Sequence, residues 1–260
     1  MLTMMEPTNL MAWRGLLSSW EAWLLTLALA VLVPTLGYVR FRRLMLHTAP
    51  VVSAGMKLAF YSKIILSQWL LVAAMLLIAR RHGLSVADLG ERRGDARLTA
   101  AVTLGLLAIL AVVAAVLRWR VRRARPEAIA ARIGRLAKFL PTFGLEMVAF
   151  ALVCVTAGVC EELLYRGWLV NILWVASGSV WVAVIVGAAV FGIGHAYQGI
   201  MGMLRTAFIG LQLGALFVAV GSLIPGQVLH AAVNLVVAYL SAVALSRMGA
   251  TATQPEPPAL

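Results

Sequence analysis

Acidic side chains are scarce in this 260-residue chain. Ten Asp and Glu stand against 22 Lys and Arg, and charged residues together make up only 12%. A soluble domain carries about 25% charged residues, so the chain lacks the polar surface a water-exposed globule needs. Cysteine is rarer still. Cys154 and Cys160 lie six residues apart in one apolar run, a spacing that suits neither a CxxC redox pair nor a zinc knuckle, and they read as small packing residues. There is no HExxH, no GxSxG, no long repeat and no alternating strand pattern. These absences exclude a disulfide scaffold, the commonest zinc-peptidase signature and a serine-hydrolase elbow.

What fills the chain instead is hydrocarbon. Hydrophobic residues make up 62%, and the mean hydropathy is +0.94. Windows near the ~20 residues needed to cross a bilayer recur at 20–39, 58–79, 98–117, 143–165, 179–197, 201–221 and 226–246. The first contains "ALA", which mimics a signal-peptidase site, but its apolar run continues towards Arg40 and reads as a retained span. Helices satisfy their own backbone groups in lipid. The expectation is therefore an all-α polytopic transmembrane helix bundle of about seven spans, with eight as the alternative count.

The net charge of +12 is unevenly placed. From Arg40 to Lys138 there are 18 Lys and Arg against four acids, Asp88, Glu91, Asp95 and Glu127. These arginines flank apolar spans, as juxtamembrane residues do, which makes anionic lipid headgroups their expected partner and argues against nucleic acid. The loops 40–57 and 118–142 fall on one side and together hold twelve Lys and Arg, so the positive-inside rule makes that side cytoplasmic. The intervening loop carries five arginines of its own. In "PEAIAARIGRLAKFL", Ile129, Ile133, Leu136, Phe139 and Leu140 share one helical face, and Arg132, Arg135 and Lys138 lie elsewhere, the pattern of an amphipathic helix flat at the interface.

Three segments follow: N-terminal spans with basic loops (1–142), an intramembrane core (143–247) and a disordered tail (248–260). Over 143–246 the only charged side chains are Glu146, Glu161, Glu162, Arg166 and Arg205, with His195 and His230 beside them. A charged residue at mid-membrane costs about 2.5–3.5 kcal/mol on insertion scales, so such groups face one another or do chemistry. Glu162 and Arg166 share a helical face at i, i+4, whereas Glu161 points about 100° away. One carboxylate is then neutralised locally while its neighbour stays free. Phe191 and His195 repeat the spacing, with Gly192 and Gly194 thinning that helix, and His230 and Asn234 repeat it again. Gly210 and Gly214 form a GxxxG that reads as helix packing. Glu146 is expected at the headgroup level; Arg205 either snorkels or meets a substrate carboxylate.

At these residues the chain resembles the CPBP family of intramembrane proteases, which includes CAAX prenyl endopeptidases. That family's motifs are EExxxR, FxxxH and HxxxN/D, read here as Glu161-Glu162 to Arg166, Phe191 to His195, and His230 to Asn234. The resemblance covers about 143–246. It implies an intramembrane endopeptidase acting on a membrane protein or lipidated peptide, in the inner (plasma) membrane of a bacterium or archaeon. It also implies catalytic roles for Glu161, Glu162, His195, His230 and Asn234, supported by Arg166 and Phe191. Glu161 with His195 would activate water, and His230 with Asn234 would hold the oxyanion. No cofactor is assigned. A divalent metal such as zinc stays open, and Glu161, His195 and His230 would then be its ligands. Two other classes compete: a proton-coupled transporter using the same groups as relays, and a non-catalytic membrane scaffold. Span counting adds a constraint, because His195 closes the fifth span and His230 opens the seventh. They meet only if both lie at depth.

Overall fold

The computed structural model describes residues 9–47, 52–92, 94–125 and 138–252, and no β-strand occurs among them. Helix α1 (Leu10–Leu16) precedes α2 (Trp20–Leu27), which runs on through a π-helical stretch (Ala28–Leu32) into α3 (Val33–His47). Then come α4 (Ala54–Arg81) and α5 (Ala96–Arg123). Helix α6 (Leu145–Glu162) continues through a second π-helical stretch (Leu163–Val170) into α7 (Asn171–Ser177). The last three are α8 (Val180–Ile193), α9 (Ile200–Val220) and α10 (Ile224–Ala252), with a 3-10 turn, Ala196–Gln198, between α8 and α9. Among the described residues, six continuous stretches are long and apolar enough to cross a membrane, and α8 is a shorter apolar helix. The expected bundle of about seven spans is what the chain forms, as an integral membrane protein.

Local chemistry sets the helix starts. Asp95 accepts hydrogen bonds from the amides of Arg97 (2.9 Å) and Leu98 (3.1 Å), capping α5. Ser53 caps α4 and Ser179 caps α8 in the same manner. Arginines gather at helix C-termini, Arg80 and Arg81 on α4 and Arg120, Arg122 and Arg123 on α5, where cations complement the helix dipole.

Two spans differ from the hydropathy reading. The fourth is 33 residues long, Leu145–Ser177, and not the 143–165 expected. The fifth is only 14 residues, about 21 Å at 1.5 Å per residue, short of the ~30 Å hydrocarbon core. Its helix stops at Ile193 because the chain turns at Gly194 and His195, where the His195 amide bonds back to Gly192 O. His195 thus sits in a turn inside the bundle and not on a helix. Residues 126–137 of the expected interfacial helix, and 253–260 of the expected tail, lie outside the described residues.

The core collects around the fourth span. Trp168 is fully buried, stands 6.0 Å from Trp13 of α1 and donates to Thr26 Oγ1 of α2 (3.1 Å). Helix α5, by contrast, presents Leu104, Ile109, Val112 and Val116 outward, as a lipid-facing helix does. Helix α10 runs antiparallel to α6 at very close range. A Cβ placed on Gly158 would lie 2.7 Å from Gln227 O and 2.8 Å from the Ala231 side chain, so only glycine permits this approach. The GxxxG reading holds as well: a Cβ on Gly214 would stand 2.8 Å from Val184, and one on Gly210 3.1 Å from Phe191.

Candidate active site

Glu162 and Arg166 sit at the centre of the bundle, 1% and 2% exposed. Arg166 Nη1 donates to Glu162 Oε1 at 2.8 Å, and Nη2 donates to Gly210 O of α9 at 3.1 Å. The guanidinium also lies 4.5 Å over the Phe191 ring of α8. A buried ion pair repays its desolvation only when its remaining protons and lone pairs are also satisfied, and this one is tied to α8, α9 and α10 at once. His230 of α10 supplies the third tie, with Nδ1 2.9 Å from the same Glu162 Oε1. A carboxylate that accepts from Arg166 is ionised, so the His230 Nδ1–H donates. Arg166 and Glu162 form the pair that their spacing indicates, with Arg166 inside the π-helical stretch that begins just after Glu162, a distortion frequent at functional sites.

Glu161 has a different environment. Its Oε1 accepts from Gln68 Nε2 of α4 at 2.8 Å. Its Oε2 is buried, has no hydrogen-bond partner and stands 3.7 Å from His230 Nε2. The imidazole of His230 therefore bridges the two glutamates, one on each nitrogen. The free carboxylate of the sequence pattern is Glu161, held on one oxygen and open on the other.

His195 reaches the site from the turn after α8. Its Nδ1 donates to Phe191 O at 2.9 Å, because a carbonyl only accepts, and this leaves Nε2 as the nitrogen with the lone pair in the neutral ring. The Phe191 ring separates the two histidines, with centroids 4.9 Å from His195 and 6.0 Å from His230. The short α8 removes the span-counting conflict, since both histidines reach the same ring. Asn234 lies one helical turn beyond His230 on α10, half-buried and without a hydrogen bond to any described residue. The structure joins Glu161, Glu162, Arg166 and His230 directly, brings in His195 through Phe191, and gives Asn234 no hydrogen bond among the described residues.

The three residues named as metal ligands do not form a ligand set in this arrangement. No group of three or more His, Cys, Asp or Glu among the described residues could hold a metal ion. His230 Nδ1 is committed to Glu162, and Glu161 Oε1 to Gln68.

Sequence reasoning missed Gln68. Its only signal was a single amide in the apolar run "KIILSQWLLVAA". Gln227 was missed too; it donates to Glu91 Oε2 at 2.7 Å and fastens the loop after α4 to α10. Glu146 forms a shielded pair with Lys57 at 2.8 Å and accepts from Thr142, which ties α4 to the start of α6. Arg205 is exposed.

The site thus gathers paired glutamates, one neutralised and one open, and two half-buried histidines among membrane helices. Residues 143–236 match the family described as type II CAAX prenyl endopeptidase Rce1-like. Over this segment the chain is similar to the CAAX-protease family, the CPBP group of membrane proteases. No curated protein and no solved structure matches the chain.

Proposed function

We propose that this protein hydrolyses a peptide bond of a lipid-anchored or membrane-associated substrate, with Glu161 as the base that activates water. The observation that carries the reading is the asymmetry of the two glutamates: Glu162 is neutralised by Arg166, while Glu161 keeps a buried, unpaired Oε2 3.7 Å from His230 Nε2. A buried carboxylate with one open oxygen suits proton abstraction.

In the proposed reaction, water loses a proton to Glu161 Oε2 as its oxygen bonds to the scissile carbonyl carbon. The carbonyl π electrons move to oxygen. The tetrahedral oxyanion then accepts from His230 Nε2–H and from the Asn234 amide, donors of the kind that stabilise such charge. Because His230 Nδ1 already donates to Glu162, donation from Nε2 requires the imidazolium, and two carboxylates at 2.9 and 3.7 Å stabilise it. His195 Nε2 accepts the water's other hydrogen bond and orients it. Collapse of the oxyanion breaks the C–N bond, and the proton on Glu161 passes to the departing amine. The products are one carboxylic acid and one amine.

The family match supports a prenylated CAAX-type tail as the substrate. The purified protein in liposomes, given a farnesylated peptide with a three-residue tail after the modified cysteine, is expected to release that tail as a tripeptide detectable by mass spectrometry. No release from this peptide, with release from unprenylated membrane-anchored peptides, would reject the prenyl-tail reading.

A further inference from the structure

We infer that Gln68 is a positioning residue of this reaction, fixing which oxygen of Glu161 acts as the base. The inference rests on the reading of Glu161 as base. Gln68 lies midway along α4, outside the segment that matches the protease family. An ionised carboxylate only accepts, so the amide NH2 must be the group that faces Glu161 Oε1 at 2.8 Å, and the amide oxygen is turned away. That oxygen, Gln68 Oε1, is buried without a hydrogen-bond partner, and so is Glu161 Oε2.

A purely structural role would be a hydrogen bond joining α4 to α6. Those helices are already joined by the Lys57–Glu146 pair and by Tyr61, whose ring meets Phe150 edge-on at 5.1 Å. The amide is spent instead on the base itself, and the arrangement leaves two buried acceptors open. An unsatisfied buried acceptor costs about 1–3 kcal/mol, so structural glue alone is a poor account of it. Glu161 Oε2 is the open acceptor that an O–H of the attacking water needs. Holding Oε1 stops the carboxylate from rotating and presents Oε2 to that water and to His230.

The test compares kcat and KM for the farnesylated peptide in liposomes among wild type, Gln68→Leu, Gln68→Asn and Glu161→Gln, with thermal unfolding of each. Gln68→Leu is expected to lower kcat about 10- to 100-fold, the size of effect a misplaced catalytic group produces, with KM within about twofold. Gln68→Asn, which keeps the amide one methylene short, is expected to recover part of the loss. Wild-type kcat in Gln68→Leu would overturn the inference. If Gln68→Leu does not fold, Gln68→Asn decides: lowered kcat at unchanged KM supports the role, and wild-type kcat removes it. Activity retained in Glu161→Gln would instead show that the underlying base assignment is wrong. An inactive Glu161→Gln beside a fully active Gln68→Leu would reject this inference alone.

Discussion

Glu161 and Glu162 are neighbours in the chain with opposite surroundings, and the cause is the 100° turn between successive helical residues. That turn aims Glu162 at Arg166 and His230, and Glu161 at Gln68 and the unoccupied side of the imidazole. Their substitutions should therefore fail in different ways. Glu162→Gln leaves Arg166 buried without a counter-charge, and breaking one side of such a pair costs about 3–5 kcal/mol. Its unfolding temperature in detergent is expected to fall well below that of wild type and of Glu161→Gln. Equal stability of the two variants would contradict the division of labour. The Glu162–Arg166 pair was legible because i, i+4 spacing dictates it. Gln68 was not, because a partner 93 residues away leaves no periodic trace, and only the position of α4 against α6 reveals it.

The helices that position these residues depend on close approach. Hydropathy located the spans, since burial in lipid needs only a long apolar run, but it could not see where α8 ends. That boundary comes from backbone turning at Gly194 and His195, inside a stretch that stays apolar on both sides. Nor could it show that α6 leads unbroken through its π-helical stretch into α7. The contact between α6 and α10 is the most sensitive one for the site, because it holds His230 against Glu162. Gly158→Leu would drive a side chain into Gln227 O and Ala231, both under 3.0 Å from the first added carbon. Overpacking of this kind typically costs about 1–3 kcal/mol. Both stability and cleavage are expected to drop, while Gly105→Leu on α5, where a Cβ meets nothing within 4 Å, should leave both unchanged. A stable, fully active Gly158→Leu protein would show that this approach does not set the site.

Across the molecule, the ends of the helices sort the loops onto two sides. The C-terminal end of α5 and the end of α10 meet where Arg247 donates to Ala124 O (3.0 Å), on the side that also carries Arg40, Arg42 and Arg43. The loop after α4 lies at the opposite end, where Leu223 N donates to Gly90 O (2.9 Å) and Ser222 Oγ to Arg92 O. With the first end cytoplasmic, cysteines at Ser53 and Thr142, both exposed, should resist an impermeant thiol reagent outside intact cells and react once the cells are opened. The native Cys154 and Cys160 are buried and should stay silent. Labelling of Ser53→Cys from outside would invert the topology. Gln68 and Lys57 of α4 connect the N-terminal spans to Glu161 and to the start of its helix. The family motifs made the 143–236 segment readable. The supporting half became readable only in three dimensions.

The central claim is that Glu161 is the base of an intramembrane hydrolysis, and its most direct test is the turnover of Glu161→Gln on the farnesylated peptide in liposomes. Gln keeps the shape and can accept the Gln68 hydrogen bond, but it cannot take a proton from water. The account predicts a kcat at least about 100-fold below wild type, within the range a general base supplies, with the unfolding temperature unchanged. Cleavage by Glu161→Gln at the wild-type rate would contradict it.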